Sequence, residues 1–81
     1  MIKSPAIKHD KKVFIGKSHG EIMHKMITDR MFNYDRPDYT EGFIDEYGDF
    51  LDRQQAAKVA FDCGQIPEKK YQLFSYDLVN E

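Results

Sequence analysis

Tryptophan is absent from this 81-residue chain, cysteine occurs once, at Cys63, and no run of apolar residues exceeds three. A lone cysteine excludes an internal disulfide and a cysteine-rich zinc cluster. The opening stretch MIKSPAIKHDKK has no apolar core for a secretory leader, and no segment approaches the length that crosses a bilayer. The cytosol is therefore the expected compartment, with no membrane partner. Charge of one sign is also missing: 12 Lys and Arg face 14 Asp and Glu, and neither sign forms a block. A protein held on duplex DNA or on an anionic membrane by phosphate electrostatics needs a basic excess. Neither partner is expected here.

The length allows one domain, residues 1–81. A domain this small buries only about 60% of its unfolded surface, which leaves a thin core and predicts a homo-oligomer. The apolar tail and the small residues Ala56, Ala57 and Ala60, which permit close backbone approach, add to that expectation.

The pattern that is present has a repeated grammar. Ala6–Lys8 and Val13–Ile15 flank the polar turn His9–Lys12 and predict a hairpin. Ser18 follows as a helix N-cap, with Glu21 completing an S-x-x-E capping box. Ile22, Met23, Met26, Ile27 and Met31 recur at helical spacing as one apolar face. The second unit repeats this order. Phe43-Ile44 and Phe50-Leu51 flank the loop Asp45–Asp49, and Asp52 caps a helix with Gln55 at its third position. Ala56, Ala57, Ala60 and Phe61 form its inward stripe, widened by Val59 and Cys63, and Gly64 and Pro67 end it. The expected fold is α+β, ββαββα, a small antiparallel sheet against two helices. Residues 1–32 form the first hairpin–helix unit, 33–41 a loop, 42–66 the second unit and 67–81 a docked tail. The loop carries Tyr34, Tyr39 and Arg36, either as a plain surface connection or as a flap over a planar ligand.

The stretch KSHGEIMHKM comes close to the H-E-x-x-H signature of zinc proteases. Histidines four apart on a helix diverge by about 40°, whereas His19 and His24, five apart, diverge by about 140°. They cannot converge on one ion. Glu21 and His24 share a side, but E-x-x-H serves a di-iron site only with a second copy and two further carboxylates. The H-x-E of zinc deaminases is present without its P-C-x-x-C partner. No metal and no cofactor is expected. Ser75 has no nucleophile-elbow context, and Cys63 sits near a helix C-terminus, where the dipole does not favour a thiolate. His19 instead sits where strand passes to helix, and Gly16-Lys17-Ser18-His19 offers donors suited to an anion. Its plainer reading is a first-turn histidine with a satisfied hydrogen bond.

The segment Gly42–Ala60, continuing to Gly64-Gln65-Ile66, resembles a family of small, mostly uncharacterised phage and prophage proteins. Their pattern is a G-F hairpin, an R-x-x-A-x-x-x-A helix, G-Q and a closing L-x-S-E-D-L. Here the close reads Leu73-Phe74-Ser75-Tyr76-Asp77-Leu78, with Tyr76 in place of the acid, and Gly16–His19 is similar to the family's G-x-x-H. The resemblance implies a phage protein in the host cytosol whose polar motif positions serve a ligand. Lys17, His19 and Arg53 would take phosphates, Gln65 and Asp77 a base or ribose, and Phe43 or Tyr39 would stack, with Ser75 alongside. The structural alternative pairs Arg53 with Asp77 to pin the tail, while Ser75 and Gln65 cap backbone. The leading expectation is a counter-defence protein that sequesters a nucleotide-derived immune signal. The alternatives are an inhibitor that binds a host defence protein or nuclease, and a small hydrolase of such a signal using His19 as acid and base.

Overall fold

A computed structural model describes residues 1–78, apart from the side chain of Ser75. Two hairpin–helix units follow one another in the order β1 (Ile2–His9), β2 (Lys12–Ile15), α1 (His19–Thr28), β3 (Tyr39–Asp45), β4 (Phe50–Asp52) and α2 (Arg53–Asp62). A 3-10 turn, Ser75–Leu78, closes the described chain. The strands form one antiparallel sheet in the order β2-β1-β3-β4. This is the expected α+β, ββαββα fold.

Local chemistry explains most boundaries. In α1, the Ser18 hydroxyl accepts the Glu21 N–H at 3.1 Å, while the Glu21 carboxylate reaches one residue further back than expected, to the Lys17 N–H at 3.2 Å. In α2 the box is reciprocal: Asp52 accepts from the Gln55 N–H at 2.8 Å, and Gln55 accepts from the Asp52 N–H at 3.1 Å. Each helix ends the same way. The residue after the C-cap has positive φ, Arg30 at 58° and Gly64 at 81°, and the next N–H returns to the helix, Met31 to Met26 at 2.7 Å and Gln65 to Ala60 at 2.8 Å. Glycine makes the second stop cheap, whereas Arg30 holds the first against its own Cβ.

The first hairpin is tighter than its sequence suggests. His9 pairs with Lys12, leaving a two-residue turn in which Asp10 and Lys11 have φ of 50° and 66°. Positive φ at both positions matches the strand twist. In the second hairpin, Asp45 Oδ1 accepts from the N–H groups of Tyr47 and Asp49, both at 2.9 Å, around Gly48 at φ 86°. The expected loop at 33–41 is shorter than predicted, because Tyr39, Thr40 and Glu41 belong to β3 and pair with His9, Lys8 and Ile7.

Both helices cover one face of the sheet. Below α1, Ile7, Ile22 and Met26 form one cluster, flanked by Phe14, Met23 and Phe32. Below α2, Ile2, Phe43, Ala56, Ala57, Ala60, Ile66 and Leu73 form another. The expected helix stripes are narrower in fact. Ile27, Met31 and Phe61 are exposed, since α1 ends at Thr28 and the buried arc of α2 is set by its alanines. Those alanines meet the chain's own sheet, and the tail docks on its own chain: Leu73 is wholly buried and its N–H bonds the Arg53 carbonyl at 2.9 Å. On the opposite face of the sheet, Gly42 leaves room for Phe50, whose Cζ would stand 2.8 Å from any added Cβ, while the Leu51 carbonyl would collide with it.

Among the described residues no helix is long and apolar enough to cross a membrane.

Candidate functional site

The first residues of the two helices meet over β3. His19 opens α1 and is only 6% exposed, and its Nε2–H donates to the Gly42 carbonyl at 2.7 Å. That bond fixes the tautomer, so Nδ1 is an acceptor, and it faces Arg53 Nη2 at 3.3 Å. The ring edge stands against Phe43, centroids 5.1 Å apart and planes at 85°. Burial pushes the His19 pKa below its ordinary value; the Gly42 carbonyl opposes this and the Arg53 charge adds to it.

Arg53 holds the cluster together. Its Nη2 donates to Glu41 Oε1 at 2.7 Å, its Nη1 to the Leu73 carbonyl at 2.7 Å, and its guanidinium lies 4.6 Å above the centre of the Phe74 ring. A cation at a helix N-terminus opposes the dipole, and the Glu41 carboxylate offsets that repulsion. Glu41 escaped the sequence reading because β3 was begun too late; once it is in the strand, its pairing with Ile7 turns it toward the helices. The carboxylate partner of Arg53 is thus Glu41 rather than Asp77. Arg53 does pin the tail, but through the Leu73 carbonyl.

The other expected residues have separate surroundings. Asp77 pairs with Lys70 at 2.6 Å and accepts the Phe74 N–H at 2.9 Å. Gln65 makes a side-chain bridge to β1, its Oε1 accepting the Ile2 N–H and its Nε2 donating to the Ile2 carbonyl at 2.8 Å. Phe43 is fully buried, so its ring has no face free for a ligand. Lys17 is exposed at the entry to α1, and Tyr39 is 47% exposed beside Phe32, its ring 6.2 Å away. The Ser75 side chain lies outside the described atoms. The structure therefore joins His19 to Arg53 directly and leaves Lys17, Tyr39 and Gln65 in other places. Both ring nitrogens of His19 are engaged, so the cluster acts as a clamp between the two units.

A concavity lies elsewhere, between α2 and the segment leading to the tail. This groove of about 550 Å³ is lined by Gln54, Lys58, Phe61, Asp62, Lys69, Lys70 and Tyr71. Gln54 Nε2 donates to the Tyr71 hydroxyl at 2.9 Å and fixes the ring across the groove from the helix. Lys70 is paired with Asp77, but Lys58 and Lys69 make no ion pair among the described residues, so the lining is basic in a chain whose net charge is −2. The Asp77 carboxylate beside Lys70 raises its pKa above the ordinary value, so that ammonium stays charged. Phe61 is 39% exposed and Tyr71 76% exposed, two rings open to a planar group. The sequence signal was the Lys69-Lys70-Tyr71 run after Pro67, read only as the beginning of a tail.

No curated protein and no solved structure is matched by the chain. The family model described as Phage T4 y16D protein matches residues 1–79, nearly the whole chain and both hairpin–helix units, and the protein belongs to that small phage family.

Proposed function

We propose that this phage-family protein is a non-enzymatic binder that sequesters a nucleotide-derived signal of host immunity. The groove between α2 and the tail carries this reading, because it combines ammonium groups with exposed aromatic rings in about 550 Å³. That volume falls in the range of small-molecule sites. Phosphates would be met by Lys58 and Lys69, with Lys70 held nearby by Asp77, and a base would lie on Phe61 or Tyr71. The polar residues singled out by the family resemblance then act in support: Arg53 and Asp77 hold the tail that forms one wall.

Among the described residues the lining offers ammonium groups and aromatic rings for contact, with Asp62 as its acidic residue, and the groove is read as a binding site. Calorimetry with a panel of cyclic and linear nucleotides tests the reading, followed by heat release and mass analysis of the bound compound. Binding with intact release is expected, and Lys58→Glu with Lys69→Glu should weaken it at least about tenfold, the loss of one or more charge-assisted contacts. Conversion of the nucleotide would favour the hydrolase, and absence of binding across the panel would discard the sequestration reading.

A further inference from the structure

We propose that β2 is a dimerisation edge, where a second copy of this chain adds its own β2 antiparallel about a two-fold axis at Phe14. β2 is the outer strand of the sheet, with β1 on one side only. In an antiparallel pair, residues alternate between those that exchange backbone bonds with the neighbour and those that point their N–H and C=O away. The two-residue turn makes His9–Lys12 a bonded pair, and Gly16 N–H bonds the Pro5 carbonyl at 3.4 Å, so the alternation directs the backbone groups of Val13 and Ile15 to the open edge. Edges of this kind template pairing with another strand unless charge, proline or a bulge blocks them. Val13 and Ile15 supply none of these, and their side chains are 44% and 59% exposed.

The second copy is the occupant that the edge itself selects. Centred on Phe14, the pairing places Val13 opposite Ile15 of the other chain in both halves, so all four outward-facing residues exchange bonds. The same register sets Lys12 against Gly16 and places the two Lys12 residues at opposite ends of the paired segment. Beside the edge, a groove of about 320 Å³ between β2 and α1 is lined by Ile22, Met26 and Met31 together with Lys25 and Asp29. Neither Lys25 nor Asp29 makes an ion pair among the described residues. One free charge of each sign, Lys25 in the last turn of α1 and Asp29 at its C-cap, is a pattern that a two-fold axis can pair with itself. Lys25 of each copy meets Asp29 of the other, and the surface is complementary to itself. Apolar burial along this edge also supplements a core that is thin for one domain. The inference is independent of the proposed ligand groove.

Light scattering on the purified chain at micromolar concentration should give twice the 9.6 kDa subunit mass. Ile15→Pro removes an outward N–H that β1 does not use, so the circular dichroism spectrum should be kept while association weakens about tenfold or more. Lys25→Glu should also weaken the dimer, and Lys25→Glu with Asp29→Lys should restore it, because the exchanged charges again face opposites. A monomer in the unaltered protein overturns the proposal. So does an Ile15→Pro variant that stays dimeric, or a doubly reversed variant no better than Lys25→Glu alone.

Discussion

Arg53 Nη2 stands 3.3 Å from His19 Nδ1 across 34 positions of sequence, so the first residues of the two helices are in direct contact. Each also holds a backbone carbonyl, His19 that of Gly42 in β3 and Arg53 that of Leu73 in the tail. Two hairpin–helix units and the tail are thereby joined at one point, with Glu41 as the counter-charge. The contact requires an unprotonated Nδ1, since a second ring proton would face the guanidinium donors.

That requirement predicts a pH-dependent stability. Burial lowers the folded-state pKa of His19 below its ordinary value of 6.5. Between the two values the unfolded chain takes up a proton that the folded chain does not, so stability falls as pH falls. The slope from this residue is at most about 1.4 kcal/mol per pH unit, beginning below pH 6.5 and ending at the folded pKa. Urea unfolding at a series of pH values should show it. His19→Gln, which keeps a donor for Gly42, should flatten that part of the profile at some cost in stability. An unchanged profile in the variant would assign the slope to another group.

Replacing Arg53 should act first on the fold. Arg53→Ala removes bonds to Glu41 and to the Leu73 carbonyl and leaves a carboxylate of 33% side-chain exposure without its partner. A loss of about 1.5–3 kcal/mol is expected, with loosening of the tail. Arg53→Lys should recover only part, because one ammonium cannot reach both acceptors as the planar fork does. Denaturant midpoints and amide exchange at Leu73 and Phe74 measure this. Unaltered stability in Arg53→Ala would mean that the clamp carries no weight.

A gain in stability is expected at the first turn. Lys11 holds φ at 66° in a position where a Cβ is unfavourable. Lys11→Gly turns the loop into Asp-Gly, the favoured pair for this turn, and should stabilise the fold by about 0.5–1 kcal/mol. Thermal unfolding should therefore move upward by a few degrees; a downward shift would place the Lys11 side chain in a contact that the geometry does not show.

What could be read from the sequence was whatever a few neighbouring residues determine. Ser18 and Asp52 as caps, Gly64 as a stop and the hairpin around Gly48 depend on contacts within one turn of chain. The order ββαββα followed from them. The start of β3 was misplaced because Tyr39-Thr40-Glu41 is polar and borders a proline and two aspartates, while its strand character comes from pairing with β1. Arg53 and His19 were seen as equivalent openings of two helices, yet nothing local names Glu41 as their companion. The basic groove was missed for the same reason: Lys58 and Lys69 are eleven positions apart and share a wall only once the tail has docked.

The bridge from Gln65 to Ile2 bears on the order in which the fold can be completed. During synthesis, Ile7, Ile22 and Met26 are available to one another early, and the first hairpin can close over α1 while the rest is still being made. Ile2 has to wait. Its side-chain neighbours Ile66 and Leu73 and its backbone partner Gln65, 63 positions away, arrive last. The beginning of β1 is thus finished by residues near the end of the chain, and a nascent polypeptide stalled short of Gln65 would display an unclamped strand start. Such long-range closure is the slow kind of step in small-domain folding. It makes a later segment of the chain the lock on an earlier one.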